Sequence, residues 1–170
     1  MSDVDYSPFQ PVLPQAPARA LPWACVIAGS LVTTLPFIAP APVLPPCGLL
    51  MLLAWRLLSR FALRPWAAAP LGFIDDLLSG QPLGSAVLLW SLALLLIDLI
   101  EQRLVFRDFW QDWVIATGLI AFCLVGGRFL ATPLSAPIDG AVAVQVAASA
   151  LLFPVATRIV ALLEAKRDRS

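Results

Sequence analysis

Apolar residues run through this chain in long blocks, broken by prolines, glycines and short charged stretches, without the strict alternation of a half-buried strand. Residues 1–20 carry Pro8, Pro11, Pro14 and Pro17 among small and polar residues, a pattern that predicts an extended or disordered tail. The blocks that follow predict helices over 21–39, 45–61, 65–79, 82–101, 112–130 and 139–163. Pro45 and Pro46 suit the first turn of the second helix. The third, opened by Pro65-Trp66, is short for a full crossing of a bilayer, and the fourth is the most continuously apolar. Trp110 and Trp113 are placed as interfacial anchors for the fifth, and Pro154 should kink the sixth. Residues 164–170 form a basic tail. Arg19 before the first apolar run, with Ala39-Pro40-Ala41 behind it, resembles a cleavable leader. The run is long for one, prolines surround the site and further spans follow, so an uncleaved first helix is expected.

Composition fixes the class. With 60% hydrophobic and 13% charged residues and a mean hydropathy of +0.87, the chain lies far from a soluble globular domain. An open sheet edge finds no partners in hydrocarbon, so the expected fold is an all-α integral membrane protein. Short connections make it a compact bundle of six transmembrane helices, adjacent in sequence and antiparallel. The formal net charge is zero, and only the sidedness of the charges is informative. Arg19, Arg56, Arg60, Arg64, Arg103, Arg107, Arg158, Lys166, Arg167 and Arg169 fall on one side of six spans, ten of the eleven basic residues. Arg128 alone falls on the other, which places both termini in the cytoplasm.

The chemistry of common enzymes is missing. There is no histidine, and no HExxH, GxSxG, P-loop, CxxC or GxGxxG pattern in a suitable setting, so neither an enzyme nor a cofactor or metal is expected. Cys25, Cys47 and Cys123 each lie in an apolar run and read as small core residues. No nucleic-acid partner is expected.

The informative segment is Pro70-Leu71-Gly72-Phe73-Ile74-Asp75-Asp76-Leu77-Leu78-Ser79-Gly80-Gln81-Pro82-Leu83-Gly84. Ionisable residues at membrane depth cost about 2.5–3.5 kcal/mol on insertion scales and mark partner, ion or substrate contacts. Asp75 and Asp76 point about 100° apart on one helix, so they do not face one substrate together. Paired charges are the tolerated kind at this depth, so Arg128 is expected to approach Asp75 or Asp76 in the bundle interior. The alternative is a carboxyl that is protonated or hydrogen-bonded to the turn at Ser79 and Gly80. Asp98, Glu101 and Gln102 end the fourth helix where Arg56 or Arg60 can meet them, as a surface or interfacial pairing. Gly72, Gly80, Gly84 and Ser85 allow close approach of helices three and four. The basic C-terminal residues can touch anionic headgroups or a cytoplasmic partner.

These residues carry a resemblance. Val43-Leu44-Pro45-Pro46 leads a span that ends in basic residues, and residues 70–84 match a G-x-x-x-D-L-x-S-G-x-x-L-G pattern through Gly72, Asp76, Ser79, Gly80, Leu83 and Gly84. With Phe153-Pro154 and the basic tail, the chain over about residues 20–167 resembles the rod shape-determining protein MreD family of the bacterial inner membrane. Asp75 is an extra carboxylate beside the family position. The resemblance implies a non-enzymatic, multi-pass scaffold of the cell-elongation machinery. Its implied partners are MreC, through it the RodA glycosyltransferase with its class B penicillin-binding protein, and cytoplasmic MreB filaments. It also implies a fold similar to the substrate-binding subunits of energy-coupling-factor transporters, and hence an alternative function as a solute-binding subunit of such a transporter. A solute site needs convergent polar groups, and the outward loops 38–43 and 79–84 are nearly uncharged, so the scaffold is the expected function.

Overall fold

The computed structural model describes residues 16–33, 45–59, 62–80, 82–103, 108–131 and 140–167, with side chains from residue 20 to residue 166. Among them are six α-helices and no strand: α1 Ala16–Thr33, α2 Cys47–Leu58, α3 Ala68–Ser79, α4 Ser85–Arg103, α5 Phe109–Ala131 and α6 Gly140–Arg167. A single 3-10 turn, Pro65–Ala67, leads into α3. Helix α1 starts at Ala16, inside the stretch expected as tail, and runs through Pro22. Helix α6 likewise continues to Arg167, past the expected end at residue 163. Both corrections have one cause: these ends, alanine-rich in α1 and charged in α6, lack the large apolar residues of the blocks, and a block marks where a helix meets an apolar medium rather than where its hydrogen bonds stop. The tail up to residue 15, Arg60, Arg107, Arg169 and the connection 38–43 lie outside the described residues.

Helix α2 is the hub. All but three of its twelve residues are buried, as expected of a helix that is apolar all round. It packs against α1, α4, α5 and α6, while α3 packs on α1 and α4. The bundle is therefore wrapped around a short central helix, not built only from sequence neighbours.

Close contacts give the helix directions. The end of α1 meets the start of α2 at Gly29, where an added Cβ would lie 2.8 Å from the Cys47 carbonyl oxygen, and α5 meets α4 where Gly126 faces Leu89. Helices α2 and α4 finish together, as their joined charges below show. That end is termed basal here. The end of α1, the start of α2, the α3–α4 turn, the end of α5 and the start of α6 share the opposite end.

Helices α4, α5 and α6 are long and apolar enough to cross a membrane. Helices α5 and α6 also turn large apolar side chains outward, among them Val114, Phe122, Leu151 and Leu162, the reverse of a soluble surface. Helix α3, with 12 residues, is only about 18 Å long at 1.5 Å per residue. Its buried face is Ala68, Leu71, Gly72 and Asp76, and Phe73 and Leu77 form an exposed ridge.

Proline 154 explains a contact between α5 and α6. Lacking an N–H, it leaves the Ala150 carbonyl without its helical donor. The Trp113 indole supplies one, donating from α5 to the Ala150 oxygen at 2.9 Å. Trp113 is thus a half-buried tie between α5 and α6, while Trp110 stands exposed.

Candidate functional site: two carboxylates, a clamp and a cavity

The first turn of any helix leaves backbone N–H groups without partners. At the start of α4 these groups are answered by Asp76 of α3. Its carboxylate accepts the Gly84 N–H at 2.8 Å, the Ser85 hydroxyl at 3.0 Å and the Ala86 N–H at 2.9 Å. Asp76 is 1% exposed, and a negative charge at a helix N-terminus is also favoured by the helix dipole. The partners are Gly84 at the end of the turn and the first residues of α4, rather than Ser79 and Gly80, which the alternative reading names.

The rest of the motif makes this clamp possible. Gly80 ends α3 with φ 67°, the left-handed conformation that reverses the chain at little cost only for glycine. A Cβ on Gly72 would sit 2.8 Å from the backbone of Ala86 and Val87, so glycine lets the two helices touch. Ser79, Gly80, Leu83 and Gly84 are exposed on the turn.

Asp75 faces elsewhere. Together with Arg128 and Gln145 it lines a cavity of about 370 Å³ at the end opposite the basal one. Leu49, Trp90 and Cys123 give the cavity apolar walls. The Ser30 hydroxyl hydrogen-bonds the Asp75 carboxylate. Gly48 leaves room for this pair, since a Cβ there would collide with the Ser30 oxygen and lie 3.3 Å from Asp75 Oδ1. Arg128 shares that cavity with Asp75, while Asp76 is committed to the clamp.

Ser30, Gly48, Trp90 and Gln145 belong to this site and were not singled out from sequence. Gln145 carried a legible signal, as a lone polar side chain in the apolar start of α6. Ser30 and Gly48 carried none beyond small size. Polar groups do converge here, which corrects the expectation drawn from the uncharged loops: they come from helix interiors.

At the basal end Arg56 donates to Asp98 and, at 3.2 Å, to Glu101. The side chains are 6%, 29% and 13% exposed. The pairing expected at a surface is a largely buried triad. Cys25, Cys47 and Cys123 are free thiols. No cluster of metal-ligating side chains occurs among the described residues.

A compact all-helical bundle with three helices long and apolar enough to cross a membrane, and with Arg56 and Asp76 held in its interior, has the features of a small helical membrane protein. Residues 19–161 match the family model described as rod shape-determining protein MreD, and the chain belongs to that family. Membership assigns it a role in rod-shape determination, within a membrane-associated family of shape-determining structural proteins. No curated protein and no solved structure matches the chain. The implied likeness to energy-coupling-factor subunits therefore rests on the resemblance alone.

Proposed function

We propose that the protein is a non-enzymatic scaffold of the cell-elongation machinery, set in the bacterial inner membrane by six spans with both termini cytoplasmic. In this reading it binds the span of MreC and through MreC supports assembly or activation of RodA with its class B penicillin-binding protein. MreB filaments lie within reach of its cytoplasmic face. The observation that carries the proposal is the family match over residues 19–161. The charge partition along the sequence supports the orientation, since Arg128 alone of the basic residues falls on the side of the spans away from the termini.

The surface proposed for MreC is the exposed ridge of Phe73 and Leu77 on α3 with Leu83 on the α3–α4 turn. Gly72, Ser79, Gly80 and Gly84 shape that ridge and turn, and Asp76 fixes them. Pro154 contributes through the α5–α6 tie, and Asp75 and Arg128 through the cavity behind α3. A scaffold acts by touching two states of its partner unequally, and a ridge held on a rigid hairpin is suited to that.

Detergent co-purification from the native membrane, followed by mass spectrometry, tests the proposal. Recovery of MreC and the synthase subunits, reduced by a Phe73→Ala/Leu77→Ala variant, is the expected result. Recovery of a paired ATPase module without cell-wall partners would instead establish the transporter subunit, the alternative that the cavity favours.

A further inference from the structure

The cavity beside Asp75 is walled by five of the six helices: Leu49 comes from α2, Asp75 from α3, Trp90 from α4, Arg128 from α5 and Gln145 from α6. The space is open on one side, but a partner helix, about 10–12 Å across with its side chains and roughly 400 Å³ or more per 5.4 Å turn, is too large for a volume of about 370 Å³. A small molecule can. The volume of about 370 Å³ lies at the lower end of the roughly 300–1,000 Å³ typical of ligand pockets.

The lining sets the chemistry. One carboxylate, one guanidinium and one amide stand on three helices over apolar walls. In a low-dielectric interior a ligand of net charge would leave one charge uncompensated, whereas a ligand carrying both signs leaves the balance unchanged. The planar guanidinium fork matches a carboxylate. A carboxylate held in place by a serine hydroxyl suits an ammonium group, and Ser30 holds Asp75 in this way. We infer that the cavity is a binding site for a small zwitterion of the α-amino-acid class. Its carboxylate binds Arg128, its ammonium group binds Asp75, the Gln145 amide adds a further hydrogen bond, and its side chain packs on Trp90 and Leu49. The site stands on the cavity itself and holds whether the bundle acts as a scaffold or as a transporter subunit.

Free glycine, alanine, leucine and glutamate serve as probes on the purified full-length protein in detergent. Two readouts apply: the thermal unfolding midpoint, and alkylation of Cys123, which lines the cavity, in a Cys25→Ser/Cys47→Ser background. A neutral zwitterion should raise the midpoint by about 3 °C or more and slow alkylation about threefold. Glutamate should do neither. Asp75→Asn and Arg128→Gln should abolish both effects. Ala141→Leu, which narrows the cavity from α6 and keeps every charge, should abolish them while the unliganded midpoint stays near wild type. Absence of any response to the neutral amino acids, or an undiminished response in Asp75→Asn and Arg128→Gln, overturns the assignment. So does a response to glutamate equal to that of the neutral probes.

Discussion

Where α2 and α4 finish, Arg56 is closed between Asp98 and Glu101, whereas at the opposite end Asp75, Arg128 and Gln145 stand around a cavity of about 370 Å³. The basal charges answer one another and leave no room for anything else. Those at the other end keep a space between them. Buried charge thus serves closure at one end and leaves a site at the other. The same division runs between two adjacent residues, because Asp76 is spent on the start of α4 while Asp75 faces the cavity.

The largest effect should come from opening the basal end. Arg56→Met leaves two partly buried carboxylates without their cation and should cost about 3–5 kcal/mol in thermal unfolding. Replacing Asp98 and Glu101 by leucine in that background should recover most of the loss, and failure to recover it would show that Arg56 matters for more than the triad. Next in size is Asp76→Ala, which leaves the buried Ala86 N–H without its acceptor at roughly 1–3 kcal/mol, while the exposed Gly84 N–H turns to solvent. A loss below that range would break the clamp.

Smaller again is Trp113→Phe, expected to cost about 1–2 kcal/mol through the orphaned Ala150 carbonyl. Pro154→Ala restores a helical N–H to that carbonyl, so the two substitutions should be strongly non-additive in a double-mutant cycle. Strict additivity would remove the tie. The smallest effect belongs to Asp75→Asn, within about 0.5 kcal/mol of wild type, because it keeps the shape of a side chain that holds no helix end. A loss as large as that of Asp76→Ala would erase the distinction between the two ends.

Six helices were legible from hydrophobic blocks, since each block is apolar enough to need a helix. The central place of α2 was foreshadowed by its lack of any polar face between Leu49 and Trp55, yet periodicity along one helix does not name its neighbours. The motif pointed to the right hairpin. It could not say which carboxylate closed it, because adjacent residues differ by rotation about the helix axis and the position of α4 fixes that rotation. Arg56 with Asp98 and Glu101 was legible as a pairing, but its burial was not, as burial depends on what covers a charge. The link from Pro154 to Trp113 was hidden for a similar reason: a proline announces a free carbonyl, and only packing shows which donor finds it.

The division of labour between Asp75 and Asp76 is tested most directly by amide hydrogen exchange over residues 82–88 in the wild type, Asp75→Asn and Asp76→Ala proteins. Asp76→Ala should speed exchange there, with Gly84 and Ala86 stripped of their acceptor, while Asp75→Asn follows the wild type. Faster exchange in Asp75→Asn, or unchanged exchange in Asp76→Ala, would contradict the account.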